Sequence, residues 1–86
     1  MESYSDIKII SKEEDAMERT YKLIELIGIS QQSYEDAIQN AVAKAAQTVK
    51  GLSWFEVVTL SGHIQGDKIT EYQAKIKLAF RVLDHQ

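Results

Sequence analysis

The stretch "LSWFEVVTLSGHIQGDKITEYQAKIKLAFR", Leu52–Arg81, reads as two extended arms joined at Gly66-Asp67, a two-residue turn candidate. The second arm alternates strictly. Tyr72, Ala74, Ile76, Leu78, Phe80 and Val82 are apolar, whereas Glu71, Gln73, Lys75, Lys77 and Arg81 between them are polar. A period of two is the mark of a strand with one buried face. If Gln65 faces Lys68 and the register runs unbroken, Phe55 meets Leu78 and Val57 meets Ile76, while Glu56 meets Lys77 on the other face. Phe55 is thereby expected in the core. Trp54 is expected on the opposite face with Val58, Leu60 and Ile64, beside Gln73, Lys75, Lys77 and Arg81 of the neighbouring arm.

Upstream, "TYKLIELIGIS" (Thr20–Ser30) is rich in β-branched and large apolar residues and reads as a strand. Both of its phases are apolar, with Tyr21, Leu23 and Ile27 on one and Ile24 and Leu26 on the other, as in strands covered on both faces. "SYEDAIQNAVAKAAQTVKG" (Ser33–Gly51) has the helical period: Ile38, Ala41, Val42, Ala45 and Val49 form one apolar stripe. Ser33 suits the N-cap, Glu35 and Asp36 suit the first turn, and Gly51 is the expected stop. The alanine-rich stripe lets the helix lie close against a sheet. The order β-α-β-β predicts an α+β fold, a three-stranded antiparallel sheet whose long hairpin packs on one helix. Residues 1–18, with the charged run "SKEEDAME", read as an N-terminal extension to a single domain over 19–86.

At 86 residues the chain buries only about 60–65% of its unfolded surface, which leaves a solitary monomer marginal. Small domains compensate with disulfides, metals or assembly. There is no cysteine, and His63 and His85 lack ligand-like spacing. Glu13, Glu14 and Asp15 have no glycine-turn calcium pattern, so no metal is expected there. Assembly is the remaining device. A net charge of −3 and a pI near 5.3 lack the footprint of a nucleic-acid binder. No apolar run is long enough to span a membrane and no signal-peptide pattern opens the chain, so the expected setting is cytoplasmic. No nucleophile-base-orienter set is visible, and an enzyme is not expected.

One helix covers one face of a small sheet, which leaves the Trp54 face in need of a cover. A partner subunit and a flat aromatic ligand are the two candidates. Trp54 and Gln73 share that face but stand about 20 Å apart along the hairpin, at about 3.3 Å per residue. One flat ligand could be held by both only if two chains contribute.

"YKLIELIGIS", "SYEDAIQNAVAKAAQT", "WFEVV", "SGHI" and "EYQAKIKLAFR", taken in that order, resemble the dodecins, small flavin-storage proteins. The resemblance spans Thr20 to about Leu83. It implies a hollow homododecamer that sequesters pairs of flavins, riboflavin or FMN, between subunits. Trp54 occupies the position of the tryptophan that stacks on the isoalloxazine ring, and Gln73 that of the glutamine that hydrogen-bonds its polar edge. Arg81 in "AFR" corresponds to an arginine common in bacterial members. Ser61 departs from the pattern, because many bacterial dodecins carry an arginine before the G-x-I stretch, where it helps with phosphate or the neighbouring subunit. The alternative expectation is a structural oligomer of the same fold that no longer binds flavin.

Overall fold

The computed structural model of the chain describes residues 18–82. All but the last residue of the expected N-terminal extension, 1–18, lies outside the described residues, as does the acidic cluster in it. Four elements occur in the expected order: β1 (Tyr21–Ser30), α1 (Tyr34–Ala46), β2 (Leu52–Gln65) and β3 (Lys68–Arg81). They form one antiparallel sheet in the order β1-β3-β2, so the strictly alternating strand is the central one. No helix among the described residues is long and apolar enough to cross a membrane.

The helix begins as its cap residues dictate. Ser33 is extended, and its Oγ accepts the Asp36 backbone N–H at 3.0 Å. Buried Ser30, at the end of β1, ties strand to helix: its hydroxyl donates to Asp36 Oδ2 at 2.7 Å and accepts the Gln32 N–H at 2.8 Å. The helix stops at Ala46, well before Gly51. The N–H groups of Gln47, Thr48 and Val49 fold back onto the carbonyls of Lys44 and Ala45, closing the last turn ahead of the β-branched pair. Gly51 instead serves the sheet. At φ +81° it turns the chain into β2 and its carbonyl accepts the Arg81 N–H at 3.0 Å.

The core is a layer of small residues. Ala37, Ala41 and Ala45 of α1 lie on Ala74, Ile76 and Leu78 of β3, flanked by Ile24, Leu26, Ile38, Val42 and Leu52. The buried stripe is therefore rotated to include Ala37, with Ile38 and Val42 at its margin. At Gly28 the approach is closest: a Cβ there would lie 2.0 Å from the Ala37 carbonyl oxygen and 2.9 Å from the Ala41 Cβ. The sequence reading has β1 covered on both faces. Within the chain only Ile24, Leu26, Gly28 and Ser30 face the helix, while Leu23, Ile27 and Ile29 are exposed on the other side.

The hairpin turns at Gly66-Asp67, with Gln65 opposite Lys68 and Gly66 at φ +68°. Phe55–Leu78, Val57–Ile76 and Glu56–Lys77 pair as expected. The register between these two ends is shifted by one residue. Thr70 of β3 is unpaired between Ile69 and Glu71, and its hydroxyl bonds the His63 carbonyl at 3.3 Å. Val58 of β2 is unpaired between Val57 and Thr59 and restores the original register. An extra residue inverts the facing of every residue beyond it. Leu60 and Ile64 consequently leave the Trp54 face and pair with Ala74 and Ile69 on the helix side. An unbroken register from Gln65–Lys68 would set Leu60 opposite Gln73; Ser61 stands there instead.

Phe55 corrects the sequence reading in a second way. It lies on the helix side, paired with Leu78, yet is 47% exposed. The helix sits over β1 and β3 and leaves most of β2 beyond its footprint. Phe55, Val57, Leu60 and Ile64 form an apolar row that the rest of the described chain leaves about half exposed or more.

Candidate ligand-binding face of the sheet

The face opposite α1 is assembled by alternation in three strands. Along β3 it presents Arg81, Ala79, Lys77, Lys75, Gln73 and Glu71; β1 adds Tyr21, Leu23, Glu25, Ile27 and Ile29, and β2 adds Trp54, Glu56, Thr59, Ser61 and His63. The two ends differ in chemistry. One is aromatic and the other is built of amide, hydroxyl and carboxylate groups.

At the aromatic end Trp54, on β2, and Tyr21, on β1, meet across the central strand with ring centroids 4.8 Å apart and planes inclined by 60°. Ala79 lies opposite Trp54, and its small side chain, fully buried, leaves room for that contact. The Arg19 guanidinium stands 5.7 Å from the Tyr21 ring centroid, within cation–π range. The indole N–H points along the strand to Glu56 Oε2, at a long 3.4 Å. Trp54 is held by Tyr21 on one side and is still 44% exposed. A flat, electron-poor ring system fits what remains, since stacking needs an aromatic face with restricted motion. Trp54 and Phe55 also border a shallow depression at the start of β2, lined with Val42, Leu52, Ser53 and Leu78.

Arg81 shares this end of the face, opposite Tyr21 in the β1–β3 register. Gln73 does not. It lies six residues from Ala79 on β3, or about 20 Å at about 3.3 Å per residue. The fold brings Arg81 and Trp54 together and keeps Gln73 at the polar end, so one chain cannot place Trp54 and Gln73 on the same ring. Two chains are needed for that.

The surroundings of Gln73 are not evident from sequence. The Ser61 hydroxyl donates to Gln73 Oε1 at 3.1 Å, and Gln73 Nε2 donates to Glu71 Oε1 at 3.1 Å. Glu71 is legible as a neighbour, two residues away in the same strand and on the same face. Ser61 is not, because the unpaired Thr70, between the turn and Gln73, is what sets it opposite Gln73. Sequence alone makes Tyr21 an apolar strand residue, and its contact with Trp54 depends on the β1-β3-β2 order.

The family model described as Dodecin matches residues 20–83. The curated dodecin of Thermus thermophilus is 41% identical over 66 residues, covering 77% of this chain and 96% of that protein. A crystal structure of a Thermus thermophilus protein superposes with a TM-score of 0.75 at 38% identity, covering 79% of this chain and 100% of the other. The structure of the Streptomyces coelicolor dodecin does so with a TM-score of 0.74 at 36% identity, covering 78% and 96%. The β-α-β-β fold with its three-stranded antiparallel sheet is that of these structures, and the chain belongs to the dodecin family.

Proposed function

We propose that this chain assembles into a homododecamer that binds flavin between its subunits and serves as a cytoplasmic flavin store and buffer. The observation that carries the reading is Trp54: a large aromatic, braced by Tyr21, 44% exposed, on a sheet face that nothing else in the described chain covers. Contiguous apolar patches mark binding or assembly. The uncovered row on the helix side of β2, together with Leu23, Ile27 and Ile29 on β1, supplies apolar area for subunit contacts.

Trp54 would hold the ring by stacking, with its motion limited by Tyr21. Gln73 would hydrogen-bond the ring's polar edge, and the 20 Å separation implies that the two side chains come from different subunits. Arg81 would supply positive charge near the aromatic end. The flavin brings redox and photochemical reactivity, which sequestration between aromatic rings restrains. The chain's own part is to bind, orient and exclude water.

Flavin fluorescence titrated with purified protein, alongside light scattering, tests both halves. Quenching on binding and a mass far above that of a trimer are expected. A stable monomer at micromolar concentration would overturn the assembly and with it the shared site. An oligomer that leaves flavin fluorescence untouched would overturn the binding and leave a structural assembly.

A further inference from the structure

Gln73 is a carboxamide on the candidate face, and both of its polar atoms are already engaged. A carboxamide can flip end for end, exchanging donor and acceptor, unless its neighbours forbid it. Here they do. Glu71 is a carboxylate, an acceptor only, so the atom facing it must be nitrogen. Oε1 is thereby turned to Ser61, whose hydroxyl has the donor to match. After these two bonds the carboxamide retains one N–H and one lone pair.

We propose that Ser61 and Glu71 are positioning residues that lock the Gln73 carboxamide in one orientation, so that it recognises a ligand edge carrying a carbonyl beside an N–H. An imide edge has that pattern, and the pyrimidine side of an isoalloxazine is one. The inference rests on the flavin reading and refines it: Ser61, where many relatives have arginine, acts through Gln73 on the uncharged ring. Ser61 and Glu71 bond Gln73, and within the chain both lie well away from Trp54, which stands about 20 Å along the hairpin from Gln73. A half-locked glutamine must surrender more side-chain freedom on binding and offers the wrong atom part of the time.

Riboflavin and N3-methylriboflavin, which lacks the imide N–H, are the probes. Both are titrated by fluorescence quenching into the intact oligomer of the parent, Ser61→Ala, Ser61→Thr and Glu71→Gln. The parent should prefer riboflavin by at least about tenfold, as a site with a buried hydrogen-bonding partner does. Ser61→Ala should lower riboflavin affinity about fivefold, a typical neutral hydrogen bond, and shrink the preference. Ser61→Thr keeps the hydroxyl and should restore both. Glu71→Gln admits either amide orientation and should shrink the preference as well. Unchanged quenching at saturation and unchanged mass mark a variant whose stacking site is intact. If Ser61→Ala and Glu71→Gln, so qualified, keep the parental preference, the positioning role is wrong while the flavin reading stands. If the parent binds neither flavin, the flavin reading fails and this inference falls with it.

Discussion

Replacing Trp54 with alanine removes the group on which the proposed binding rests, and the size of the loss can be worked from its exposure. An aromatic of this size carries up to about 250 Å² of surface, and Trp54 leaves 44% exposed, so about 110 Å² is open to cover by a ligand. At about 25 cal/mol per Å² that area contributes about 2.7 kcal/mol when buried. An aromatic pair adds about 1 kcal/mol beyond the area. With about 1.4 kcal/mol per decade of affinity, the ceiling is a few hundredfold. Two effects reduce it. Binding never returns the full area value, and Tyr21, 4.8 Å away, offers a second ring to lean on. A loss between tenfold and hundredfold is expected for Trp54→Ala, and a smaller one for Trp54→Phe. Riboflavin quenching titrations measure it, with light scattering to show that the oligomer persists. Parental affinity and quenching in an alanine variant of unchanged mass would exclude stacking on Trp54 and make it an interface residue only.

Two further outcomes are expected. Gly28→Ala places a methyl 2.0 Å from the Ala37 carbonyl oxygen, so the helix must shift and the fold should lose about 2–3 kcal/mol in chemical denaturation; an unchanged midpoint would mean that the helix is not seated this closely on β1. Riboflavin and FMN should bind the native protein within about tenfold of each other, and Ser61→Arg should shift preference toward FMN in a salt-sensitive way, since a charge-assisted bond is worth about 1.5–3 kcal/mol; a hundredfold native preference for FMN would show that other basic residues already form a phosphate site.

The architecture is legible because each element carries its own local signal. Alternation from Glu71 to Val82, interrupted at Ala79, the Gly66-Asp67 turn and the capped helix at Ser33 agree with one another, and such agreement across levels is what a folding sequence must have. The helix end is misplaced at Gly51 because a glycine after a lysine resembles a C-terminal stop, whereas its positive φ is used where the chain turns into β2. The helix-facing stripe is displaced because Ala37 is small. Burial there comes from the close approach at Gly28, a tertiary fact that hydrophobic periodicity does not report.

The misplaced part of the candidate site has one physical cause. Cross-strand facing depends on counting residues from the turn, and a bulge adds one to a single strand without a glycine or proline to announce it. Thr70 and Val58 are such additions, one in each strand, and their shifts cancel, while a further unpaired residue, Ser53, shifts only the open end at Leu52. Pairs next to the turn and from Trp54 to Val57 are therefore right, while those from Thr59 to His63, and Leu52–Phe80 at the open end, are wrong. Trp54 and Arg81 lie beyond the second bulge and Gln73 lies on the alternating strand, so their shared face survives the error. Leu60 and Ser61 lie between the bulges and exchange faces. That exchange is chemically consequential: leucine opposite Gln73 would leave its carboxamide oxygen without this partner, whereas serine gives it a hydroxyl donor. The bulges at Thr70 and Val58 together move an aliphatic residue off the binding face and set a hydrogen-bond donor beside the Gln73 amide, which is how local irregularities of the backbone come to define the polar end of the site.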